Sequence, residues 1–600
     1  MKKRFFLACL FLTFSLVHLS AQASIDPNSR FYEYAQIWAL QGLITNVPPL
    51  RPYPLANIKE MLSAVIENGS EKDVAIAKQL WEEETGRAWH AQLTVDTAAK
   101  FSSADTDFGK DNILLAVCPE VNGELSFFND FLSLGYNIGL DGFAFGDKHA
   151  FHPLYTNRTY DFAEDAATAG PFSVYLDTND AISLGTTTVF FQGGLNRRGY
   201  GPILGEGTML NDTALHTPNL SYTVQNSVFS FTQMISIISA GSSYGNGSFT
   251  FDKYFAFHAI EINLFKGKFS VAYTENTIFG ERFDPSYLLP VPFMAIQTLY
   301  SASDNLQMGL VFKLKPVSGL QFSTEIYVDD IDVNNMLKLN FDTRNRFALL
   351  AGALYAPKDS VCTSVQASYL MITPFMYTHW QLESATSGLI PVGIINYSDY
   401  THYGISMGTP VPPNSDRIGF KINLTPLRDF NLSISSSFIR HGNVVESFTD
   451  DEAIQFLLAQ SGQYATDGSI FTHSMLENTS VAIPTIIPTG HHRLNYLTQE
   501  HKMYVIQAGV DADYTFFRQK WGSLSVTLGY NFECIINKGV DSNLYPGGQV
   551  VSNGDGTYTV EGVSSSMTQA QTVAYFKEAW VNSMYTVFNH YITLGLRYTF

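Results

Sequence analysis

Charge is scarce in this sequence. Asp, Glu, Lys and Arg make up 15% of its 600 residues, against about 25% in soluble domains, yet the mean hydropathy is zero. Membrane-spanning helices would make the chain far more apolar, and beyond residue 23 no stretch of about twenty apolar residues occurs. Basic residues are the scarcer sign, 36 Lys and Arg against 55 Asp and Glu, for a formal charge of −19. Such a balance argues against a nucleic-acid partner, which would need a basic patch. Cysteine is nearly absent: of four, only Cys118, Cys362 and Cys534 lie beyond residue 23. An odd number in strand-like surroundings predicts no disulfide framework. Without a CxxC or Cys/His cluster, no structural zinc site is visible.

What is present is export, aromatics and alternation. Met1-Lys2-Lys3-Arg4, an apolar run from Phe5 to Leu19 and Ser20-Ala21-Gln22-Ala23 make a secretory leader over residues 1–23. Leu7-Ala8-Cys9 imitates a lipoprotein box but lies too early in the apolar run. Aromatics reach 14%, with 45 Phe and 32 Tyr, as the interfacial girdles of a membrane barrel require. The last eleven residues place Ile592, Leu594, Leu596, Tyr598 and Phe600 on one strand face and Tyr591, Thr593, Gly595, Arg597 and Thr599 on the other. Lipid outside and water inside call for such a strand, and its terminal Phe600 resembles the signal read by outer-membrane assembly machinery. A soluble sandwich strand could share the pattern. An exported, membrane-patterned chain without spanning helices leaves one class, because only helices and closed barrels cross a bilayer.

Two regions follow. Residues 24–89 predict a helical bundle: Phe31, Tyr34, Ala35, Trp38 and Ala39 form one stripe, Gly42 stops it, and prolines 48, 49, 52 and 54 stiffen a link. Ile58, Met61, Leu62, Val65 and Ile66 mark a second helix ended by Asn68-Gly69 in a left-handed cap. Ser70 opens a third through Trp81, with Val74, Ala77, Leu80 and Trp81 inside. So small a body is expected to dock on the periplasmic end of the barrel. From His90 to Phe600 the period becomes two. Ile260 to Tyr273 is the clearest hairpin, turning at Lys266-Gly267, with further tight turns at Asn129-Asp130, 315–319, 357–360, 426–429 and 518–522. The long polar links between them are expected outside. In one of them Thr449 to Glu452 is a capping box for a short surface helix. Length allows 16–18 antiparallel strands, 18 favoured.

Chemistry-bearing motifs are few. Gly404-Ile405-Ser406-Met407-Gly408 matches a nucleophile elbow, but Thr409-Pro410-Val411-Pro412-Pro413 cannot start the helix that motif needs. Ser406 is therefore expected on a lumen-side strand. Asp330, Asp332 and Asn334 imitate the start of a Ca²⁺ loop, but Asn335 and Phe341 stand where glycine and glutamate belong. The alternative is a solvated acidic strand end formed by Asp329, Asp330 and Asp332. His491-His492 point apart on an extended chain. Asn196-Arg197-Arg198-Gly199-Tyr200-Gly201-Pro202 offers two guanidiniums for an acidic sugar or phosphate and an aromatic face for a sugar ring. Equally, both arginines could pair with acidic residues across the lumen wall.

Arg198-Gly199-Tyr200-Gly201-Pro202, then Leu210-Asn211-Asp212-Thr213-Ala214 and Pro218, resembles the Arg-Gly/Trp-Gly-Pro segment and Asn-rich sequel of the Wzi family of capsule-assembly outer-membrane proteins. Asp284-Pro285, Tyr287-Leu288, Ser303-Asp304-Asn305, Asp329-Asp330-Ile331-Asp332 and the opening from Tyr32 to Tyr53 are similar in kind and order. Tyr200 departs from that family's common Trp. The resemblance implies a barrel of about eighteen strands with a periplasmic helical bundle. It also implies a non-enzymatic, lectin-like role in anchoring capsular or exopolysaccharide in the cell outer membrane. Arg197, Arg198, Tyr200 and Asp212 are then the polysaccharide-contact candidates. No catalytic residue and no cofactor is expected, and the partners are outer-membrane lipid, surface polysaccharide and the assembly machinery. The alternative is a porin or transport channel.

Overall fold

In a computed structural model of the chain, the described residues are 26–27, 29–85, 89–146, 150–156, 167–240, 252–280, 282–289, 304–331, 337–338, 345–378, 382–387, 390–403, 405–458, 468, 496–519 and 522–600. The expected leader, the pair His491-His492, and Asp332 and Asn334 fall outside them.

Strands of the main sheet are β1 (His90–Ser102), β2 (Ile113–Phe127), β3 (Leu132–Phe145), β4 (Phe172–Gly185), β5 (Val189–Asn196) and β6 (Thr217–Gln225). Next come β7 (Phe229–Ser239), β8 (Asp252–Leu264), β9 (Phe269–Gly280), β10 (Asn305–Val317), β11 (Leu320–Ile331) and β12 (Asn345–Tyr355). The rest are β13 (Cys362–Ile372), β14 (Ser415–Leu427), β15 (Phe430–Gly442), β16 (Lys502–Gln519), β17 (Gly522–Lys538) and β18 (Tyr585–Thr599). A three-residue stub, Ala167–Ala169, adds a nineteenth member by pairing only with β4. Each of the eighteen lies antiparallel to its neighbours, and β1 pairs with β18 from Gln92↔Thr599 to Ser102↔Asn589. The sheet thus closes into a barrel, its narrowest seam the four residue pairs from Ile182↔Gly193 to Gly185↔Phe190 between β4 and β5, and closure pairs most of the backbone groups that open edges would leave exposed.

Alternation sorts the side chains as the C-terminal strand predicts. Leu594 is 46% exposed on the outside while its near neighbour Tyr591 is 3% exposed on the inside. Leu176, Phe191, Leu220, Ile418 and Leu528 continue the apolar outer belt around the barrel. Exposed aromatics rim it at both ends: Trp89, Phe128, Phe265, Phe516 and Phe600 at one, Phe101, Phe145, Phe283 and Tyr585 at the other. An apolar band between aromatic girdles is the surface of a barrel that sits in lipid. No helix among the described residues is long and apolar enough to span a membrane.

The tight turns all lie at one end, joining β2 to β3, β4 to β5, β6 to β7, β8 to β9, β10 to β11, β12 to β13, β14 to β15 and β16 to β17. Those expected from sequence are among them. Across this end lie α1 (Arg30–Gln41), α2 (Leu55–Asn68) and α3 (Glu71–Thr85). Gly42 ends α1 at φ 81°, its N–H bonded to the Trp38 carbonyl, as expected. Gly69 ends α2 differently, extended at φ −77°, and in that conformation only glycine fits, since a Cβ would lie 2.6 Å from the Val65 carbonyl oxygen. Ser70 then caps α3 through the Asp73 N–H, and Ile76, not Val74, joins Ala77 and Leu80 in the buried face. The helices reach turns around the rim. Lys59 pairs with Asp130 at 2.7 Å, Asn57 donates to Thr187 O at 3.0 Å, Lys72 to Ser360 O at 2.5 Å, and Arg518 pairs with Glu83. Gly319, at φ 84° in the β10–β11 turn, donates to Leu40 O at 3.1 Å.

At the opposite end the links do not simply face outward. Residues 197–216 and the described residues of the β13–β14 link turn back into the lumen, burying Tyr200, Met209, Leu210, Tyr377, Tyr400 and Met407 in the main core. The capping box forms, with Glu452 accepting from Thr449 N–H at 2.8 Å, and starts α4 (Asp450–Leu458). That helix is not a surface helix, because Ala453, Ile454, Phe456 and Leu457 are buried in the same core. A further helix that the sequence pattern did not reveal, α5 (Gln569–Asn582), buries Val573, Phe576 and Trp580.

The two faces of β18 give a direct check. Leu594→Arg is expected to cost up to about 2–4 kcal/mol in lipid, and Thr593→Lys, facing the lumen, less than about 1 kcal/mol. Denaturant unfolding in vesicles measures both, and equal costs would mean the faces are misassigned.

Candidate functional site

The segment singled out from sequence, 197–202, is the first part of a plug inside the barrel. Its backbone meets the stiff proline-rich link of the bundle: Arg51 and Gly199 exchange N–H to C=O bonds of 3.0 and 3.3 Å. Tyr200 then pairs with Leu210, so the link and both arms of the loop lie side by side. On this frame Arg51 Nε donates to Asp212 Oδ1 at 2.6 Å, and the two side chains are 9% and 0% exposed. The second oxygen of Asp212 accepts from the Gly205 N–H at 2.8 Å. Burial alone disfavours the Arg51 charge, but the Asp212 carboxylate outweighs it and raises the Arg51 pKa. Gly199 is required here, since a Cβ would fall 1.6 Å from Asp212 Oδ1.

Two further contacts hold the loop from the sides. Glu325 of β11, fully buried, accepts from the N–H groups of Thr208 and Met209 at 3.0 and 3.2 Å. From the second inward link, Tyr377 donates to Thr208 O at 2.7 Å, Tyr400 to Met209 O, and Met407 O accepts from Asn211 N–H at 2.9 Å. Tyr377 and Tyr400 stack at 5.4 Å. Lys253, also fully buried, anchors that link to β8 through Asp399 at 2.6 Å.

The candidate contacts therefore separate. Arg198 is buried, donating to Asn219 Oδ1 at 2.8 Å, to Ser221 Oγ at 3.3 Å and to Gln192. These partners are uncharged, so the expected pairing with acidic residues across the wall does not apply to it. Burial lowers its pKa to about 9, which leaves it cationic at neutral pH. Asp212 is held inside the plug, and Tyr200 packs its ring 5.0 Å from Phe257. These three build the plug. Arg197 faces the other way, as its neighbour on an extended chain must, and lines a chamber of about 480 Å³.

That chamber lies against the β1–β4, β17 and β18 wall. Alternate residues deliver Gln92, Thr94 and Asp96 from β1, Glu120 and Asn122 from β2, Asn137 and Asp141 from β3, and Asp177 and Asn179 from β4. Arg597 of β18 enters beside them, with Asp26, Phe151 and His152 also on the lining. Glu120 is oriented by Gln92 and by Asn137, the latter at 3.2 Å. Gly595 keeps the floor open, since a Cβ would lie 2.3 Å from both Asp96 Oδ1 and Thr527 Oγ1. Sequence inspection missed this wall because its charges arrive one per strand. The signal was the polar parity of Gln92, Thr94 and Asp96, repeated on the adjoining strands. A second cavity, about 710 Å³, lies between the link and β8–β10, lined by Tyr200, Glu261, Lys266, Lys268, Lys313 and Lys315 among others.

The other sequence candidates do not assemble a site. Asp330 ends β11 in register with Arg346. Asp329 is buried rather than solvated and accepts from the Tyr377 N–H at 3.1 Å. Ser406 belongs to a two-residue ladder with Thr401–His402 inside the inward link, not to a barrel strand. Among the described residues its hydroxyl has no hydrogen-bond partner, so no base is placed to activate it.

No family model and no curated protein matches the sequence. Among solved structures the chain is similar to Wzi, an outer membrane protein involved in group 1 capsule assembly in Escherichia coli and a carbohydrate-binding β-barrel. The TM-score is 0.47 at 9% identity, over 96% of this chain and 98% of that one. It is also similar to the outer membrane protein OprD of Pseudomonas aeruginosa, with TM-score 0.37, 9% identity, and 85% and 93% coverage. OccK2 of Pseudomonas aeruginosa, in complex with glucuronate, gives 0.37 at 6% identity over 85% and 95%. Likenesses this distant carry no function across, and the barrel rests on its own strand register.

Removing one partner of the buried pair leaves the other charge uncompensated. Asp212→Leu should destabilise the plugged state by about 3–5 kcal/mol, and adding Arg51→Met to it should recover most of that loss. Denaturant unfolding of the four members of the cycle measures this, and a single variant as stable as its parent would show the pair to be idle.

Proposed function

We propose that the protein is a non-enzymatic, lectin-like barrel of the bacterial outer membrane that holds a surface polysaccharide. The observation that carries the proposal is the polar chamber beside a plugged lumen. Carboxylates accept hydrogen bonds from sugar hydroxyls, amides both accept and donate, and guanidiniums donate in pairs. Strand ends and inward loops hold these groups in place, which lowers the entropic cost of binding a flexible glycan. Five carboxylates (Asp26, Asp96, Glu120, Asp141 and Asp177) line the chamber against two arginines, Arg197 and Arg597. That balance favours a neutral or amino sugar over a uronate, unlike the acidic ligand that two adjacent arginines suggest in the sequence.

A second reading, a channel for small solutes, is favoured by one feature. The lysine-lined cavity at the tight-turn end lies between the bundle link and the wall.

Single-channel conductance separates the two. The intact protein, its lumen filled by the bundle and by the inward links, is expected to be silent in a planar bilayer, whereas steady conductance would favour the channel. Independently, Arg197→Ala with Arg597→Ala should lower retention of neutral glycan by at least tenfold, since each charged hydrogen bond contributes about 1.5–3 kcal/mol. Barrel migration on unheated gels should not change. Full retention by that variant would remove the chamber from the binding site.

A further inference from the structure

The longest link between barrel strands joins β15 to β16, and its two ends meet in a cluster that the polysaccharide proposal does not use. Glu446 sits in the short 3₁₀ turn Val444–Ser447 that follows β15. Glu500 and His501 immediately precede β16. One donor atom from each of Glu446, Glu500 and His501 lies within 4.8 Å of the others. His501 Nδ1 is 2.6 Å from Glu446 Oε1, and the His501 N–H donates to Glu446 Oε2 at 3.1 Å.

Glu446 and His501 are held in place, while Glu500 is exposed beside them. The Glu446 side chain is 9% exposed and that of His501 28%. Asn443 fixes the turn, accepting from Val445 N–H at 3.2 Å and donating to Val540 O at 2.8 Å and Ser542 O at 3.0 Å. The His501 ring stands edge-on to Trp580 of α5 at 5.9 Å, and Trp580 is itself tied to Gly539 O at 3.1 Å. A cavity of about 410 Å³ opens beside the cluster, and Glu578 of α5 also lines it. Lys577 shares that lining, and its ammonium donates to the Glu446 carbonyl oxygen at 3.3 Å.

We propose that Glu446, Glu500 and His501 form a site for a divalent cation of the Zn²⁺ class, with Glu578 facing its open side. An imidazole nitrogen with carboxylate oxygens is a set that zinc accepts, at bond lengths of about 2.0–2.2 Å. Calcium and magnesium instead take oxygen ligands alone. Binding replaces the hydrogen bond between His501 Nδ1 and Glu446 Oε1 with a bond from each atom to the ion. The ion would join two residues 55 positions apart, closing the base of the link and restricting its unfolded arrangements, a constraint whose effect grows with loop length.

The test titrates chelator-treated, detergent-folded full-length protein with Zn²⁺ by calorimetry and follows Co²⁺ substitution by its visible absorption. One equivalent is expected to bind, with affinity reduced at least tenfold in both His501→Ala and Glu446→Gln. His501→Gln, which keeps a hydrogen-bonding group and loses the imidazole, should behave as His501→Ala does and serves where the alanine variant fails to fold. Absence of saturable binding, binding unchanged in the His501 variants, or Ca²⁺ binding as tightly as Zn²⁺ would each overturn the proposal.

Discussion

Eighteen strands enclose more space than their own inward side chains can fill. Small barrels of about eight strands close on their side chains alone, whereas barrels of 16 to 18 strands leave an aqueous lumen unless something else enters. Everything inside this molecule answers that constraint. The N-terminal helices span the tight-turn mouth, two links fold back from the other end, and both are fastened to the wall by groups that water would otherwise solvate. Buried charges such as Asp212, Lys253 and Glu325 are tolerable only because each meets a partner or backbone N–H groups placed for it. The same filling leaves gaps along the wall, and the polar chamber beside the β1–β4 strands is one of these. Site and plug are two consequences of one surplus of volume.

The Arg51–Asp212 pair shows how such filling becomes specific. A hydrophobic plug could sit in several registers. A bidirectional backbone bridge at Gly199 plus one buried ion pair leaves a single register, because any shift strands a charge in a low-dielectric interior.

What was legible in the sequence follows the range of the interactions. Period-two alternation, the tight turns and the outward face of β18 depend on neighbours in the chain, and they were readable along with the strand number favoured from length. The Gly42 cap was legible for the same reason. The conformation of the Gly69 cap was not, because glycine admits both the left-handed and the extended form and the close approach of the Val65 carbonyl appears only in the fold. Burial of α4, of the link at 197–216 and of Tyr377, Tyr400 and Met407 in the β13–β14 link could not be seen either. Their polar composition reads as solvent-facing, while the Tyr377 and Tyr400 rings that carry them inward find partners only after the barrel exists. Arg51 and Asp212 lie 161 positions apart, and no spacing rule reaches that far. Of the contact candidates, sequence identified a segment that matters but not which side chain faces a cavity, since Arg197 and Arg198 part company on an extended backbone.

The seam between β1 and β18 has a consequence for biogenesis. It joins residues 90–102 to residues near the chain's end, so it is the pairing of greatest sequence separation in the barrel. Until the last strand arrives, the growing sheet carries two unpaired edges, each a template for strand addition by any other chain. A large loop entropy also opposes that final pairing. The chain must therefore be sheltered, edges covered, through most of its assembly, and the pairing that ends this exposure is made by the barrel's final strand.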